Sequence, residues 1–327
     1  MKNEILQLLK KSTGYLSGEE ISASLGISRT AVWKHIRTLK NEGYIIDSQT
    51  KLVYALIQVP DRLYPEEIKA HLNTKKIGRQ IFYFPSVSST NTTAKEIAEK
   101  GFQEGTVVIG EMQTSGKGRL SRGWHSPFGT GIWMSLIVKP AIAPMDAAKI
   151  TLLTAVSAAQ AVKEECGLKP GIKWPNDLLF QGKKLCGILT EMKADMDQIH
   201  YIIVGIGINV NDTEFPEDIR DTATSLKLAA GKEINRIKLA AAVLNRWEVN
   251  YLEFLESGFS RIKSRWKEHA VNLGQPVTVY TLQETIRGRA LDIDDEGMLL
   301  VQDQQGKIHK IVAGDVSLRN GGKENEN

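Results

Sequence analysis

Between residues 1 and 43 apolar positions repeat at helical spacing, and the pattern predicts three short helices. Ile5, Leu8 and Leu9 mark the first. Ser17-Gly18-Glu19-Glu20 reads as a capping box ahead of Ile21 and Leu25 in the second. A Gly26-Ile27 turn leads to a third helix that Ser28 can cap. Val32, Ile36 and Leu39 form its inward stripe, whereas Thr30, Trp33, Lys34 and Arg37 share a different face. Gly43 ends it, and alternating Tyr44-Ile45-Ile46 and Leu52-Val53-Tyr54, joined by Asp47 to Lys51, predict a hairpin wing with a polar tip.

Pro60 and Pro65 frame a linker, followed by a short amphipathic helix from Glu66 to Leu72. The pattern then alternates between strands and helices. Strands are expected at Ile81 to Phe84, Thr106 to Glu111, Gly131 to Lys139, Leu178 to Phe180, Lys184 to Leu189 and Tyr201 to Asn209. Helices are expected at Thr92 to Lys100, Met145 to Cys166, Arg236 to Glu256 and Phe259 to His269. From Val271 onward short alternating segments separated by turns such as Asp294-Asp295-Glu296-Gly297 predict a small β-barrel of the SH3-like kind. The fold class is α+β in three parts: a winged helix-turn-helix over 1–62, a mixed α/β domain over 75–270 and the barrel over 271–320. Gly321 to Asn327 is a polar tail expected to be disordered.

Composition narrows the function classes. A 42% hydrophobic share over 327 residues is ordinary for globular domains with cores of their own. No apolar run reaches the ~20 residues that span a bilayer, and Met1 to Lys11 lacks a signal-peptide core, so a cytoplasmic location is expected. Cys166 and Cys186 are too few for a disulfide framework and are expected to be reduced and buried. The scattered histidines offer no zinc-ligand spacing. Net charge is a modest +4, but residues 1–60 hold eight Lys+Arg against five Asp+Glu, or 8 − 5 = +3. With a basic, aromatic face on its third helix, this region fits a DNA reader contacting bases and phosphates through Ser28, Arg29, Thr30, Trp33, Lys34 and Arg37. A three-helix protein-contact module with a solvated charged face would use the same pattern.

The stretch Met112 to Pro127, MQTSGKGRLSRGWHSP, carries the chemistry. Gly116, Gly118 and Gly123 alternate with Lys117, Arg119 and Arg122, so backbone N–H groups and cations can converge on an oxyanion. It is not a P-loop, because Gly118 follows Lys117, nor a dinucleotide fingerprint, because Ser121 stands where a third glycine is needed. A solvated basic surface loop remains the plain alternative. Ser88-Ser89-Thr90-Asn91 at the mouth of a helix favours capping on spacing alone, and it can equally serve a small polar ligand. Asp177 can hold a hydrated Mg²⁺ or act as a turn residue.

Taken in order, Ser89-Thr90-Asn91, Gly116-Lys117-Gly118-Arg119-Leu120-Ser121-Arg122 with Trp124, Lys173-Trp174-Pro175-Asn176-Asp177, Lys184-Leu185-Cys186-Gly187-Ile188-Leu189 and Gly205-Ile206-Gly207-Ile208-Asn209 resemble bacterial biotin protein ligases. With the amino-terminal helix-turn-helix the chain is similar to the bifunctional form, the biotin operon repressors, over nearly its whole length. The family's usual Gly-Arg-Gly-Arg loop has Lys117 in place of its first arginine, which keeps the charge and loses the bidentate fork.

The resemblance implies an ATP-dependent ligase that forms biotinyl-AMP and passes biotin to a lysine of biotin carboxyl carrier protein, the acceptor of acetyl-CoA carboxylase. It also implies repression of biotin-synthesis genes at their operator by a homodimer carrying the adenylate. It assigns catalysis to Arg119, Lys184 and Lys117, and biotin to Ser89, Thr90, Asn91, Gln113, Lys117, Gly118, Arg119 and Lys184. Nucleotide contacts fall to Arg122, Trp124, Asn176 and Asn209, and Mg²⁺ to Asp177. Two rivals stand beside this reading: a ligand-sensing regulator without ligase activity, and a lipoate-type ligase on the related fold.

Overall fold

The computed structural model describes residues 1–49, 53–281 and 283–318, and its chain divides into two compact units, Met1–Arg62 and Leu63–Asn327. In the first unit α1 (Lys2–Lys11), β1 (Leu16–Ser17), α2 (Gly18–Leu25), α3 (Arg29–Asn41), β2 (Ile45–Gln49) and β3 (Val53–Gln58) follow in order. The capping box of α2 forms in both directions: Glu20 N–H donates to Ser17 Oγ at 3.1 Å, and Ser17 N–H to Glu20 Oε2 at 2.7 Å. Gly26, at φ +65°, supplies the left-handed turn between α2 and α3. Ile5, Leu9, Ile21, Val32, Ile36 and Leu39 fill the core as the spacing requires, but Leu6, not Leu8, completes the buried face of α1. The hairpin also differs. Asp47, Ser48 and Gln49 belong to β2 instead of the turn, and β1 adds a third strand in the order β1-β3-β2. Thr50, Lys51 and Leu52 of the expected wing lie outside the described residues.

The second unit opens with α4 (Pro65–Lys69), β4 (Ile81–Phe84), α5 (Thr90–Lys100), β5 (Thr106–Gly110) and β6 (Ile132–Val138). It continues through α6 (Ala147–Cys166), β7 (Gly171–Lys173), β8 (Asp177–Phe180), β9 (Lys183–Ala194), β10 (Ile199–Ile208), α7 (Leu226–Ala230), α8 (Arg236–Ser257) and α9 (Ser260–His269). Among the described residues β4 to β10 form one seven-stranded sheet ordered β4-β5-β6-β10-β9-β8-β7, in which β4 and β5 run parallel and the other pairs antiparallel. Strand alternation divides its side chains between two layers. Val107 and Ile109 of β5 and Ile202, Val204, Ile206 and Ile208 of β10 join the large core with α6 and α8. Val108, Ile137, Tyr201 and Ile203 point the other way, against Ala94 and Ala98 of α5. Further along that second face β10 supplies only Gly205 and Gly207, so backbone alone forms the surface of that strand there.

The structure moves several expected boundaries. α5 begins at Thr90, two residues early, with Ser89 as its extended N-cap residue. Pro144–Asp146 form a 3-10 turn before α6, and α7, capped by Ser225 and closed by left-handed Gly231, was not among the expected helices. Cys186 is buried, but Cys166, at the last turn of α6, is only half-buried; both are free thiols. The remaining strands, β11 (Pro276–Tyr280), β12 (Thr285–Ile293), β13 (Leu299–Gln302), β14 (Ile308–Ile311) and β15 (Asp315–Ser317), pair antiparallel in the order β14-β13-β12-β11-β15. This sheet fits the SH3-like expectation in its short, turn-linked strands. The tail expected to be disordered, Gly321 to Asn327, lies outside the described residues. Among the described residues no helix is long and apolar enough to cross a membrane.

Candidate active site

The bare part of the sheet is the floor of the site. Register sets Gly205 opposite Ser135 and Leu189, and Gly207 opposite Trp133 and Gly187, on strands β6, β10 and β9. A side chain on either β10 glycine would fill the floor: a Cβ at Gly205 would lie 2.2 Å from Asn91 Oδ1, and one at Gly207 2.5 Å from Trp124 Nε1.

One wall is the first turn of α5. Ser89 occupies the N-cap position yet makes no capping bond, so the capping reading of Ser89-Thr90-Asn91 is corrected: these side chains face inward and are at most 4% exposed. Gln113 Oε1 accepts from Thr90 N–H at 2.8 Å and faces Thr90 Oγ1 at 3.1 Å, while Gln113 Nε2 donates to Ser126 Oγ at 2.8 Å. The Ser126 hydroxyl in turn donates to the Trp124 carbonyl at 3.0 Å. Thus the turn of α5 and the far end of the glycine-rich loop share one hydrogen-bonded chain.

That loop folds over the cavity through backbone bonds of its own. Gly118 N–H donates to Arg122 O at 2.8 Å and Trp124 N–H to Gly116 O at 2.9 Å. Between them Leu120 and Ser121 adopt left-handed backbone conformations at φ +54° and +59°, which for non-glycine residues costs roughly 1–2 kcal/mol apiece. Leu120 is 62% exposed, so packing does not offset that strain.

The cations are held by named partners. Arg119 donates to Asn176 Oδ1 and to the Gly314 carbonyl, each at 3.1 Å, and lies 3.6 Å from Asp315 Oδ1. Arg122 pairs with Asp315 Oδ2 at 2.6 Å. Lys117 reaches Thr92 Oγ1 at 3.3 Å. On β9, Lys184 pairs with Asp177 Oδ1 at 2.8 Å and sits 5.2 Å from the centre of the Trp124 ring. Burial lowers the pKa of Lys173, with Lys184 and Arg122 adding repulsion and Asp177 and Asp315 pulling the other way, so acids and bases alternate around this corner. The Trp124 indole lies against Gly187 and Gly207, and its buried Nε1 has no hydrogen-bond partner among the described residues.

Every ligand-site residue named from the sequence borders a single cavity of about 230 Å³: Ser89, Thr90, Asn91, Gln113, Lys117, Gly118, Arg119, Arg122, Trp124, Asn176, Asp177, Lys184 and Asn209. Sequence reasoning missed Asp315, Ser135, Glu191 and Ser126. Asp315 sits at the start of β15 and carries no motif, so nothing local marked it. Ser135 had a signal in strand alternation, being a hydroxyl in an otherwise apolar run. The Asp177 carboxylate is engaged by Lys184, and no cluster of three His, Cys, Asp or Glu residues occurs among the described residues, so an ion on Asp177 would need its other ligands from a substrate. The residues expected at DNA belong to the first unit. Ser28, Arg29, Thr30, Trp33, Lys34 and Arg37 are all exposed, with the Arg37 guanidinium 5.6 Å from the Trp33 ring centre and Arg29 paired to Glu19.

Known proteins bear on this arrangement. The chain is 42% identical to the bifunctional ligase/repressor BirA of Bacillus subtilis over 97% of its own length and 98% of that relative. The chain belongs to the biotin protein ligase family. Its family models agree: the biotin/lipoate A/B protein ligase family matches residues 83–209, an HTH domain 2–54 and the biotin protein ligase C-terminal domain 273–319. BirA of Escherichia coli is 30% identical over 94% of each chain. Among solved structures, the biotin protein ligase of Aquifex aeolicus in complex with biotin and ATP is 32% identical with a TM-score of 0.65, covering 74% of this chain and all of that one. The biotin/lipoate match thus runs from β4 to the end of β10 and takes in the glycine floor, the loop and Lys184.

Proposed function

We propose that this protein activates biotin with ATP to biotinyl-AMP, transfers the biotinyl group to a lysine of biotin carboxyl carrier protein, and represses biotin-synthesis genes as an adenylate-bound homodimer. The observation that carries the reading is the convergence of loop and strand cations with the polar turn of α5 on one cavity. Whole-length similarity to the BirA proteins supports both halves of the function.

In the first step a biotin carboxylate oxygen attacks the α-phosphorus of ATP, and the bond to pyrophosphate breaks. Two anions repel as they approach, so the reaction needs cations along the line of attack more than a protein nucleophile. Arg119 and Lys184 fill that role, with Lys117 beside them. Ser89, Thr90, Asn91 and Gln113, with the Gly118 backbone, take the polar end of biotin. Trp124 stacks on adenine and vacates the glycine floor to do so, while Arg122, Asn176 and Asn209 hold the rest of the nucleotide. In the second step the acceptor lysine's unprotonated amine attacks the anhydride carbonyl, the bond to AMP breaks, and the amine proton leaves to solvent. Mg²⁺ would be held by the Asp177 carboxylate and would neutralise phosphate charge; one carboxylate plus substrate phosphates is the usual donor set for that ion. With that ion on Asp177, the Lys184 ammonium, now paired to it, would be free to meet the biotin carboxylate.

The reader helix α3 enters the operator's major groove, and the protein works in the cytoplasm. Biotin-dependent exchange of labelled pyrophosphate into ATP tests the enzymatic reading. Exchange driven by biotin supports it; none would leave a ligand-sensing regulator, and exchange driven by lipoate would point to the sister activity. Gel-shift titration at fixed salt with and without biotin plus ATP tests the coupling to DNA, which equal affinities would refute.

A further inference from the structure

Asn91 is a 4% exposed amide on the cavity wall, and its orientation is set by something outside the residues assigned to the ligand. Its Nδ2 donates to Glu191 Oε2 at 2.7 Å and to the Leu189 carbonyl at 3.2 Å. Both partners are acceptors only, so the nitrogen must face them. Oδ1 is thereby turned toward Ser135, whose hydroxyl donates to it at 2.6 Å, and lies over the bare Gly205 backbone. A side-chain amide is nearly symmetric in shape, and turning it over would present the cavity with a donor instead of an acceptor. Of the two contacts that prevent this, the shorter is the charge-assisted one from Glu191. The effect extends further, since Ser135 Oγ also lies 2.8 Å from Thr90 Oγ1, which faces Gln113.

We propose that Glu191 is a positioning residue for the biotin subsite: its carboxylate locks the Asn91 amide with the oxygen available to an N–H of the ureido ring. This rests on the ligase reading of the cavity. Glu191 itself is solvent-exposed and outside the core, so its replacement leaves the fold intact. Lys193, two residues along the same strand, pairs with Glu99 instead.

The test is steady-state pyrophosphate exchange by the full-length protein with biotin and ATP varied separately. Loss of a hydrogen bond to a charged group corresponds to about a tenfold rise in biotin KM for Glu191→Ala, with kcat and ATP KM within about twofold of wild type. Glu191→Gln, which keeps an acceptor oxygen, should recover most of the affinity. Glu191→Lys, which puts a donor against Asn91 Nδ2, should raise biotin KM furthest. Discrimination against a biotin analogue whose ureido N–H is replaced by ether oxygen should shrink in the Ala variant, a readout that loosened packing would not move. Unchanged biotin KM in Glu191→Ala, or a parallel rise in both KM values with a lowered Tm, overturns the proposal alone. A wild-type protein with no biotin-dependent exchange overturns the ligase reading and the proposal together.

Discussion

Lys184 shows what a single residue can and cannot disclose. At the edge of a predicted strand it has no feature separating it from a surface lysine, and only the family motif promoted it. In the fold it is paired with Asp177 beneath the Trp124 ring, a place that neither periodicity nor charge could have given. Lys184→Ala is expected to lower exchange by about a hundredfold, in the range for removing one preorganised group from a developing charge, and Arg119→Ala similarly. Wild-type exchange rates in both variants would refute the assignment. The cysteines make a different residue-scale case. Burial pushes the Cys166 thiol up to about 11, helped by Glu165, although the side chain is only half-buried. At pH 8 its thiolate fraction is then about a hundredfold below that of an ordinary thiol near 9, and labelling by iodoacetamide should be slower than for an exposed cysteine, though by less than that factor because a more basic thiolate is the better nucleophile.

Among the elements, the glycine-rich loop was legible as an anion-binding device because glycines, cations and absent apolar residues occur together in one stretch. What holds it was not legible. Arg119 and Arg122 are tethered by Asp315, almost two hundred residues away in sequence and on a strand whose local pattern is purely structural. Asp315→Ala should free the loop in the resting protein, detected as faster proteolysis between Lys117 and Arg122 and slowed on adding biotin and ATP. Equal cleavage of variant and wild type would show that the tether does not restrain the loop. The segment leading into the loop is anchored by a fully buried pair, Glu111 Oε2 to Arg236 Nη1 at 3.0 Å, with Leu63 N–H donating to the other carboxylate oxygen at 2.7 Å. Glu111→Ala removes the carboxylate partner of a buried guanidinium and should cost about 3–5 kcal/mol in urea unfolding.

At the scale of the whole molecule, organisation was the most legible property. Helical spacing followed by alternation, then a second alternating region rich in turns, marks three architectures, and each matches a family model of its own. The reader helix and the ligand cavity lie in separate compact units. Trp33→Ala and Lys34→Ala should therefore weaken operator binding, Lys34→Ala reducing the slope of log affinity against log salt by about 0.9 if it meets one phosphate, while exchange stays at the wild-type rate. A fall in exchange would mean that the two activities share more than a chain.

Gly187 and Gly207 face each other across neighbouring strands, and the Trp124 indole rests on both. An ancestor acquiring a methyl at either position would gain nothing from changing the other, since each collides with the same ring on its own account. Alanine at 187 or 207 should therefore push the ring off its seat, and a Trp124→Ala background should make either alanine sterically silent.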